Sequence, residues 1–353
     1  MELSAIELYQ KDLEYVAGLS INWERFSKKV ILIAGASGMI GRFLVDVLLY
    51  KNRTEGLDCK VCALARNEDK IKKRFYSCLE DKNFQYICCD ITRPLTSAPA
   101  PVDYVLHLAS NTHPLAYAAD PIGTITTNTI GTYQLLELSA EKKAERFLFA
   151  SSVEIYGENR GDTEAFDEKY CGYIDCNTMR AGYPESKRCA EALCQAYRKQ
   201  KGTDTVIVRL PRVFGPTMQR SDSKAVAQFI KRAVEHKDII LKSTGDQLYS
   251  YSYVADVAAG IFYCLLKGEN GEAYNIADER CRITLKELAE LIAGYTGVNV
   301  RFELADAIEK AGYSQATKAI LSGEKIYELG WRPHYNLAAA LQRTLKILEK
   351  AGL

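Results

Sequence analysis

Apolar residues in this chain gather into short unbroken runs, separated by longer stretches whose apolar positions are spaced as in a helix. The runs are K-K-V-I-L-I-A-G, K-V-C-A-L-A-R, F-Q-Y-I-C-C-D, Y-V-L-H-L-A-S, R-F-L-F-A-S-S and D-T-V-I-V-R-L. Their shortness, branched residues and lack of polar alternation predict strands buried on both faces, as in a parallel sheet. Between them, segments such as I-G-R-F-L-V-D-V-L-L-Y predict helices. The alternation therefore predicts an open, mainly parallel α/β sheet. After Pro216 it gives way to a mixed region, which predicts a second, smaller unit with late segments returning to the first. At the amino terminus Ile6, Tyr9, Leu13 and Val16 recur at steps of three and four, predicting an amphipathic helix within residues 1–27.

Composition narrows the class. A length of 353 residues suits about two domains of ~150 residues each. With 46 basic and 45 acidic residues there is no excess charge for a nucleic acid or an anionic membrane. The opening M-E-L-S-A-I-E-L mixes acids into its apolar positions, unlike a secretory signal. No apolar run approaches the ~20 residues that span a bilayer. The eleven cysteines are scattered and odd in number, so a disulfide framework is not expected and a cytoplasmic setting is. Cys59 and Cys62 form C-x-x-C on a predicted strand, where residues three apart face opposite ways, so no metal site is assigned.

Two motifs carry chemistry. Gly35-Ala36-Ser37-Gly38-Met39-Ile40-Gly41 is G-x-x-G-x-x-G between a strand and a helix. Glycines there let the turn close and let backbone approach a pyrophosphate, which rests on the helix amino terminus. That makes Gly35, Ser37, Gly38, Met39, Ile40 and Gly41 dinucleotide-binding candidates. At the end of the second strand stand Arg66 and Asn67, with no acid to hold the adenosine ribose. Arg66 suits a 2′-phosphate, or it stacks on adenine or is solvated, and the two readings stay open. In A-G-Y-P-E-S-K-R, Tyr183 and Lys187 are four apart and share a helix face. A lysine ammonium beside a phenol is expected to lower its pKa and make it a base for a sugar hydroxyl.

With the serine pair ending R-F-L-F-A-S-S, these motifs resemble the extended short-chain dehydrogenase/reductase superfamily, in its nucleotide-sugar epimerase, dehydratase and decarboxylase branch. The resemblance runs through Asp90-Ile91, H-L-A-S at 107–110, T-N-T-I-G-T at 127–132 and R-L-P-R-V-F-G-P at 209–216. It continues through G-D-Q-L-Y-S-Y-S-Y-V-A-D-V at 245–257, A-Y-N-I-A at 273–277 and L-G-W-R-P at 329–333. It implies a Rossmann-type doubly wound parallel sheet with a smaller mixed α/β C-terminal substrate domain. The implied division is a helical extension at 1–27, a dinucleotide domain at 28–215 plus about 247–275, and a nucleotide-sugar domain at 216–246 plus about 276–353. Asp90, Ile91, Leu108, Ala109, Ser110, Asn128 and Pro211 join the implied cofactor contacts, together with Tyr183 and Lys187.

The resemblance also implies that Ser152, Tyr183 and Lys187 act at the sugar C4 hydroxyl. In the 4,6-dehydratases an Asp-Glu pair follows the serine; here the pair is Val153-Glu154, and valine has no proton to give. A retained Glu154 is similar to the UDP-glucuronate decarboxylases, as is M-R-A-G-Y-P-E-S-K-R with Arg180 and Arg188. Glu154 is expected to be catalytic or to orient Ser152. One departure is Tyr249, where the family carries an arginine for phosphate or carboxylate; Arg212 and Arg220 are candidates to replace it. Thr112, Arg180, Arg212 and Tyr249 are the expected substrate contacts, and His113 is expected to be structural.

The resemblance implies NAD, retained through a redox-neutral cycle, with NADP as the alternative. Four functions follow: a decarboxylase-like or epimerase enzyme of a UDP- or dTDP-sugar in polysaccharide precursor synthesis, an NADPH-dependent keto-sugar reductase, a 4,6-dehydratase with a substituted acid, or a non-catalytic dinucleotide-binding protein. A homodimer packed through residues 115–140 and 183–200 is also expected. Residues 1–27 lie outside the resemblance and are expected to cover an apolar edge of the first domain.

Overall fold

A computed structural model describes residues 1–95, 98–99, 101–112, 119–303 and 316–352. The six apolar runs form strands β1 (Val30–Ala34), β2 (Lys60–Ala65), β3 (Phe84–Cys88), β4 (Tyr104–His107), β5 (Arg146–Ser152) and β6 (Thr205–Leu210). With the later β10 (Ala273–Asn275) they build one seven-stranded sheet in the order β10-β6-β5-β4-β1-β2-β3. Every pairing in it is parallel; Ile33 of β1, for example, lies opposite Ala63 on one side and Leu106 on the other. The order reverses between β1 and β4, so the carboxyl ends of these strands open a crevice along one edge.

Strand residues alternate between two apolar layers. Ile31, Ile33, Val61, Ala63, Leu148 and Val206 face α1 (Glu7–Ala17), α2 (Met39–Glu55) and the late helix α7 (Val254–Lys267). Leu32, Cys62, Leu64, Phe147, Phe149 and Ile207 face α4 (Pro121–Glu141) and α5 (Gly182–Lys201). Each valine, leucine, isoleucine or phenylalanine among them contributes about 1.5–3 kcal/mol by leaving water. Cys59 packs in the first layer and Cys62 in the second, so they do not converge. Helix α2 starts at Gly38, which caps it without a side chain, and stops at Gly56 in the left-handed conformation (φ 66°). Between β2 and β3 lies α3 (Glu68–Arg74), capped by the Asn67 side chain, which accepts from Lys70 N.

The remaining strands form a smaller layer against α6 (Ala225–Val234), α8 (Leu285–Thr296) and the carboxyl-terminal α10 (Leu337–Ala351); α9 (Glu324–Glu328) is a short turn before it. In this layer β9 (Leu248–Tyr253) pairs with β7 (Arg212–Phe214), β11 (Arg282–Thr284) and β13 (Lys318–Ala319), while β8 (Ile239–Leu241) pairs with β12 (Val300–Phe302). Residues 248–253, placed with the larger unit from sequence, thus sit at the centre of the smaller sheet. Only α7 and β10, which follow them, return to the larger one.

Within residues 1–27, α1 stops at Gly18 and a 3-10 turn follows at Trp23–Phe26. The segment packs on α2 and α7 and is fastened by polar contacts. Tyr9 Oη donates to Asp46 Oδ2 at 2.5 Å, and Tyr15 Oη to Asp256 Oδ1 at 3.0 Å. Asp12, fully buried, accepts from Tyr253 Oη at 2.6 Å and from Arg343 Nε at 2.5 Å. One carboxylate therefore ties α1 to the smaller sheet and to α10. No described helix is long and apolar enough to cross a membrane.

Candidate active site

The crevice deepens into a cavity of about 760 Å³ between the strand ends and the smaller layer. Gly35, Ser37, Gly38, Met39, Ile40 and Gly41 form one wall, with Arg66, Asn67 and Lys70 at the far end. Gly35 has φ 82°, and a Cβ there would meet Ala109 N at 2.6 Å; a Cβ on Gly41 would meet Gly35 O at 2.5 Å. Positions 35 and 41 therefore have no room for a side chain, and the amino end of α2 lines the cavity. A dinucleotide pyrophosphate fits this cradle.

Ile91, Leu108, Ala109, Ser110, Thr112 and Pro211 also line the cavity. Two expected cofactor contacts do not. Asp90 turns back to accept from Thr92 N and Oγ1, both at 2.9 Å. Asn128 is fully buried: it accepts from Ser110 Oγ at 2.7 Å and donates to Ser186 Oγ at 2.9 Å, which in turn donates to Tyr183 O. It reaches the site indirectly, by locking the first turn of α5 to the end of β4. His113 lies outside the described residues.

The middle of the cavity brings Ser152, Glu154, Tyr183 and Lys187 together. Ser152 ends β5 and caps a 3-10 turn at Val153–Tyr156, so Glu154 lies two residues past the strand end. Tyr183 and Lys187 project from the first turns of α5. Burial pushes the Tyr183 phenol up to about 12, offset in part by a hydrogen bond from Ser152. Burial also holds the Lys187 amine down to about 7. Its Nζ donates to Ala150 O at 2.8 Å and lies over the Phe149 ring, 6.0 Å from the Tyr183 ring centre. The expectation that Lys187 lowers the Tyr183 phenol is therefore not met in this structure, because desolvation of both groups outweighs their attraction. His107, beneath them, is fully buried with Nε2 3.0 Å from Thr132 Oγ1. Burial, then the Lys187 charge, keep it neutral.

Glu154 is gripped by two arginines. Arg180 Nη2 donates to Oε2 at 2.9 Å, and Arg212 Nη2 lies 3.6 Å from Oε1. Arg212 stacks on Tyr249, its guanidinium carbon 3.3 Å from the ring centre. Arg220 does not join this group; it donates to Gly352 O at the carboxyl end of α10. Arg188 serves the scaffold, donating to Ile155 O and Gly172 O at 2.7 Å each. Val153 is buried in the apolar core beside the site and offers no proton.

Several wall residues carried no motif in the sequence. Gln219 Nε2 donates to Ser37 O at 2.9 Å and Thr217 Oγ1 to Met39 O at 2.9 Å, so the loop after Pro216 clasps the glycine turn. Lys70 could have been found one helical turn after Arg66; Lys224 and Lys242 stand in the smaller layer without spacing to mark them. The described wall holds seven lysines or arginines against two carboxylates, Glu154 and Asp222. Such a field suits a ligand with several phosphates.

Comparison with known proteins places this geometry. The family model described as "NAD dependent epimerase/dehydratase family" matches residues 31–277. A UDP-glucuronic acid decarboxylase 1 of Xenopus tropicalis is 30% identical over 325 residues, 92% of this chain and 73% of that protein. Among solved structures, UDP-glucuronic acid 4-epimerase from Bacillus cereus, in complex with UDP-glucuronic acid and NAD, superposes with a TM-score of 0.77 at 22% identity, over 91% of this chain and 99% of that one. A dTDP-glucose 4,6-dehydratase from Streptomyces venezuelae, with NAD bound, gives 0.78 at 23% identity, over 91% and 97%. The two structural likenesses speak for the fold.

Proposed function

The chain belongs to the NAD dependent epimerase/dehydratase family, and on that premise we propose that it is an NAD-dependent enzyme acting on a nucleotide sugar through transient oxidation at C4. The observation that carries this is the meeting of Ser152, Tyr183 and Lys187 beside the glycine cradle, in one cavity with a cationic wall. NAD held along Gly35, Gly38 and Gly41 would supply a hydride acceptor for C4. The residues of the chain do the rest. Tyr183, as the phenolate, takes the C4 hydroxyl proton while Ser152 holds the oxygen, and a protonated Lys187 stabilises the phenolate until the transfer leaves it neutral. The resulting 4-keto group is β to a C6 carboxylate, so C6 can leave as carbon dioxide with the electron pair held as a C4–C5 enolate that is then protonated at C5, or C4 can be inverted. Conventional water elimination lacks its acid, because Val153 stands where a proton donor is needed.

The UDP-glucuronic acid decarboxylase among the relatives supports the decarboxylase-like reading, with polysaccharide precursor supply as its setting. Eleven free cysteines support a reducing, cytoplasmic location. A homodimer is supported by the outer face of α4, where Ile122, Ile125, Ile130 and Tyr133 are 75%, 40%, 42% and 44% exposed. We assign residues 1–27 as an extension, the large sheet with α7 and β10 to the dinucleotide, and the smaller layer to the sugar nucleotide.

Mass spectrometry of dinucleotide released on mild denaturation, followed by assay with UDP-glucuronic acid, tests the proposal. Co-purified NAD and turnover without net NADH accumulation are expected. An empty protein that takes up NADPH and consumes it on a keto sugar would overturn it; Arg66 and Lys70 at the adenosine end are what that second reading rests on. Dinucleotide binding without turnover of any UDP- or dTDP-sugar would reduce the chain to a binding protein.

A further inference from the structure

We propose that Tyr9 on α1 and Arg74 at the end of α3 are positioning residues for the dinucleotide. Through one chain of hydrogen bonds they keep the loop after Pro216 down on the glycine turn, and so set how fast the dinucleotide leaves. The inference rests on the dinucleotide part of the reading above and extends it to α1, which lies outside residues 31–277, the span matched by the family model. The chain runs from α1 to the cradle without a gap. Tyr9 Oη donates to Asp46 Oδ2 at 2.5 Å, and Arg42 Nε donates to Asp46 Oδ1 at 2.9 Å and Oδ2 at 2.7 Å. Arg42, its guanidinium over the Phe75 ring, donates Nη1 to Arg74 O, and Arg74 Nη2 donates to Thr217 O. Thr217 Oγ1 in turn donates to Met39 O, and two residues on Gln219 Nε2 reaches Ser37 O, both at 2.9 Å. The path closes on α2, which carries Met39, Arg42 and Asp46 about a turn apart. Tyr9 and Thr217 are fully buried, and Arg42 and Asp46 nearly so.

Two features make the chain hold. Burial, then the Asp46 charge, push the Tyr9 phenol well above its ordinary value, so it stays a neutral donor. The carboxylate between Tyr9 and Arg42 is thereby fixed, and with it the guanidinium that holds Arg74 O. At the other end, Thr217 O is the one acceptor of the Arg74 guanidinium among the described residues. Burial, then the Arg42 charge, bring that guanidinium down to about 10, so it is still a cation at neutral pH. Lifting the loop takes the acceptor away from a mostly buried cation, which is a costly step. Ser37, Met39 and Gln219 all line the cavity. A pyrophosphate on the glycine turn thus has the loop at its edge, and the loop must lift for it to go.

The test is exchange of bound NAD against isotope-labelled NAD, followed by mass spectrometry. It compares the native protein with Tyr9→Phe, Arg74→Met, Arg74→Lys and the double variant Tyr9→Phe with Arg74→Met. Arg74→Met should exchange about tenfold faster than the native protein, the effect of losing one charge-assisted hydrogen bond. Arg74→Lys, which keeps a charged donor for Thr217 O, should recover most of the native rate. Tyr9→Phe should exchange about threefold faster in the native background, but less than about 1.5-fold faster on top of Arg74→Met, because the chain is already cut there. Tyr9→Phe keeps its ring in the core, so its rate tests the chain even where Arg74→Met does not fold. A native exchange rate in Tyr9→Phe would overturn the proposal, and so would a native rate in Arg74→Met. The same acceleration by Tyr9→Phe in both backgrounds would also overturn it, making α1 a support of the fold and no more. A native protein that neither retains nor takes up NAD would instead refute the dinucleotide reading, and the proposal with it.

Discussion

Replacing Lys187 by methionine separates what this residue does for turnover from what it costs in stability. Burial holds its amine at about 7 in the folded protein, against about 10.5 in an unfolded chain. Between those values the unfolded chain binds a proton that the folded one does not, so stability rises with pH across that window. The penalty is complete below pH 7 and gone above about 10.5. Its full size is about 5 kcal/mol, at ~1.36 kcal/mol per pH unit. Methionine is close in volume, removes the titration, and forfeits the hydrogen bond to Ala150 O and the contact over Phe149, about 1–2 kcal/mol together. Lys187→Met should therefore be more stable than the native protein by about 3 kcal/mol at pH 7, and less stable by about 1 kcal/mol near pH 10.5. Urea unfolding at pH 7, 8, 9 and 10, without dinucleotide, can be followed through the buried Trp23 and Trp331. The difference between the two proteins should change by about 1.4 kcal/mol per pH unit. A difference that is flat with pH would refute the reasoning, because it would mean that Lys187 keeps an ordinary pKa. Turnover in the variant should fall by about 100-fold or more.

Three further outcomes follow from the same geometry. Tyr183→Phe should cut turnover by about 10²–10⁴-fold while leaving NAD retention intact, since the phenol meets Ser152 and not the glycine turn; dialysis followed by mass measurement separates the two effects. Gln219→Ala should release NAD several-fold faster in a stopped-flow displacement assay, because it opens the clasp on Ser37 O; an unchanged release rate would make the clasp incidental. Asp12→Ala strands the Tyr253 hydroxyl and the Arg343 guanidinium, so it should cost about 2–4 kcal/mol in urea denaturation, far more than an exposed helix substitution would.

The larger sheet was legible because its strands are buried on both faces and so read as unbroken apolar runs. The second sheet was not. Strand β9, L-Y-S-Y-S-Y, alternates aromatic and hydroxyl residues, and all but Leu248 are buried; its serines are covered because Ser250 Oγ accepts from Leu321 N and Ser252 Oγ lies against Ile276 O. Alternation normally marks a strand with one wet face, so nothing local placed it at the centre of a layer. In the site, motif spacing and the resemblance picked out Ser152, Tyr183, Lys187 and the glycine turn, which lie on local features of β5, α5 and the β1–α2 turn. It could not show that Asn128 turns toward Ser110 and Ser186, or that Arg220 turns toward α10, because these choices are made by segments distant in sequence. The grip of Arg180 and Arg212 on Glu154 joins the turn after β5, the turn before α5 and the start of β7, and was equally invisible.

The relation between Tyr183 and Lys187 shows why a motif gives residue types without giving protonation states. From spacing alone, a lysine one turn away should stabilise the phenolate. In the folded protein both groups are buried, with the phenol at about 12 and the amine at about 7. Moving a proton from Tyr183 to Lys187 then costs about 7 kcal/mol, at ~1.36 kcal/mol per unit of the gap. Coulomb attraction across the 6.0 Å between ring centre and Nζ returns only about 3 kcal/mol at an effective dielectric of ~20. Glu154 works against the phenolate, and Ser152 and Arg180 work for it. About 4 kcal/mol remains. Burial thus keeps the tyrosine a neutral phenol in the protein alone, and a positively charged ring bound in the cavity, as in the oxidised dinucleotide of the proposed cycle, would be of the right sign to make it a base.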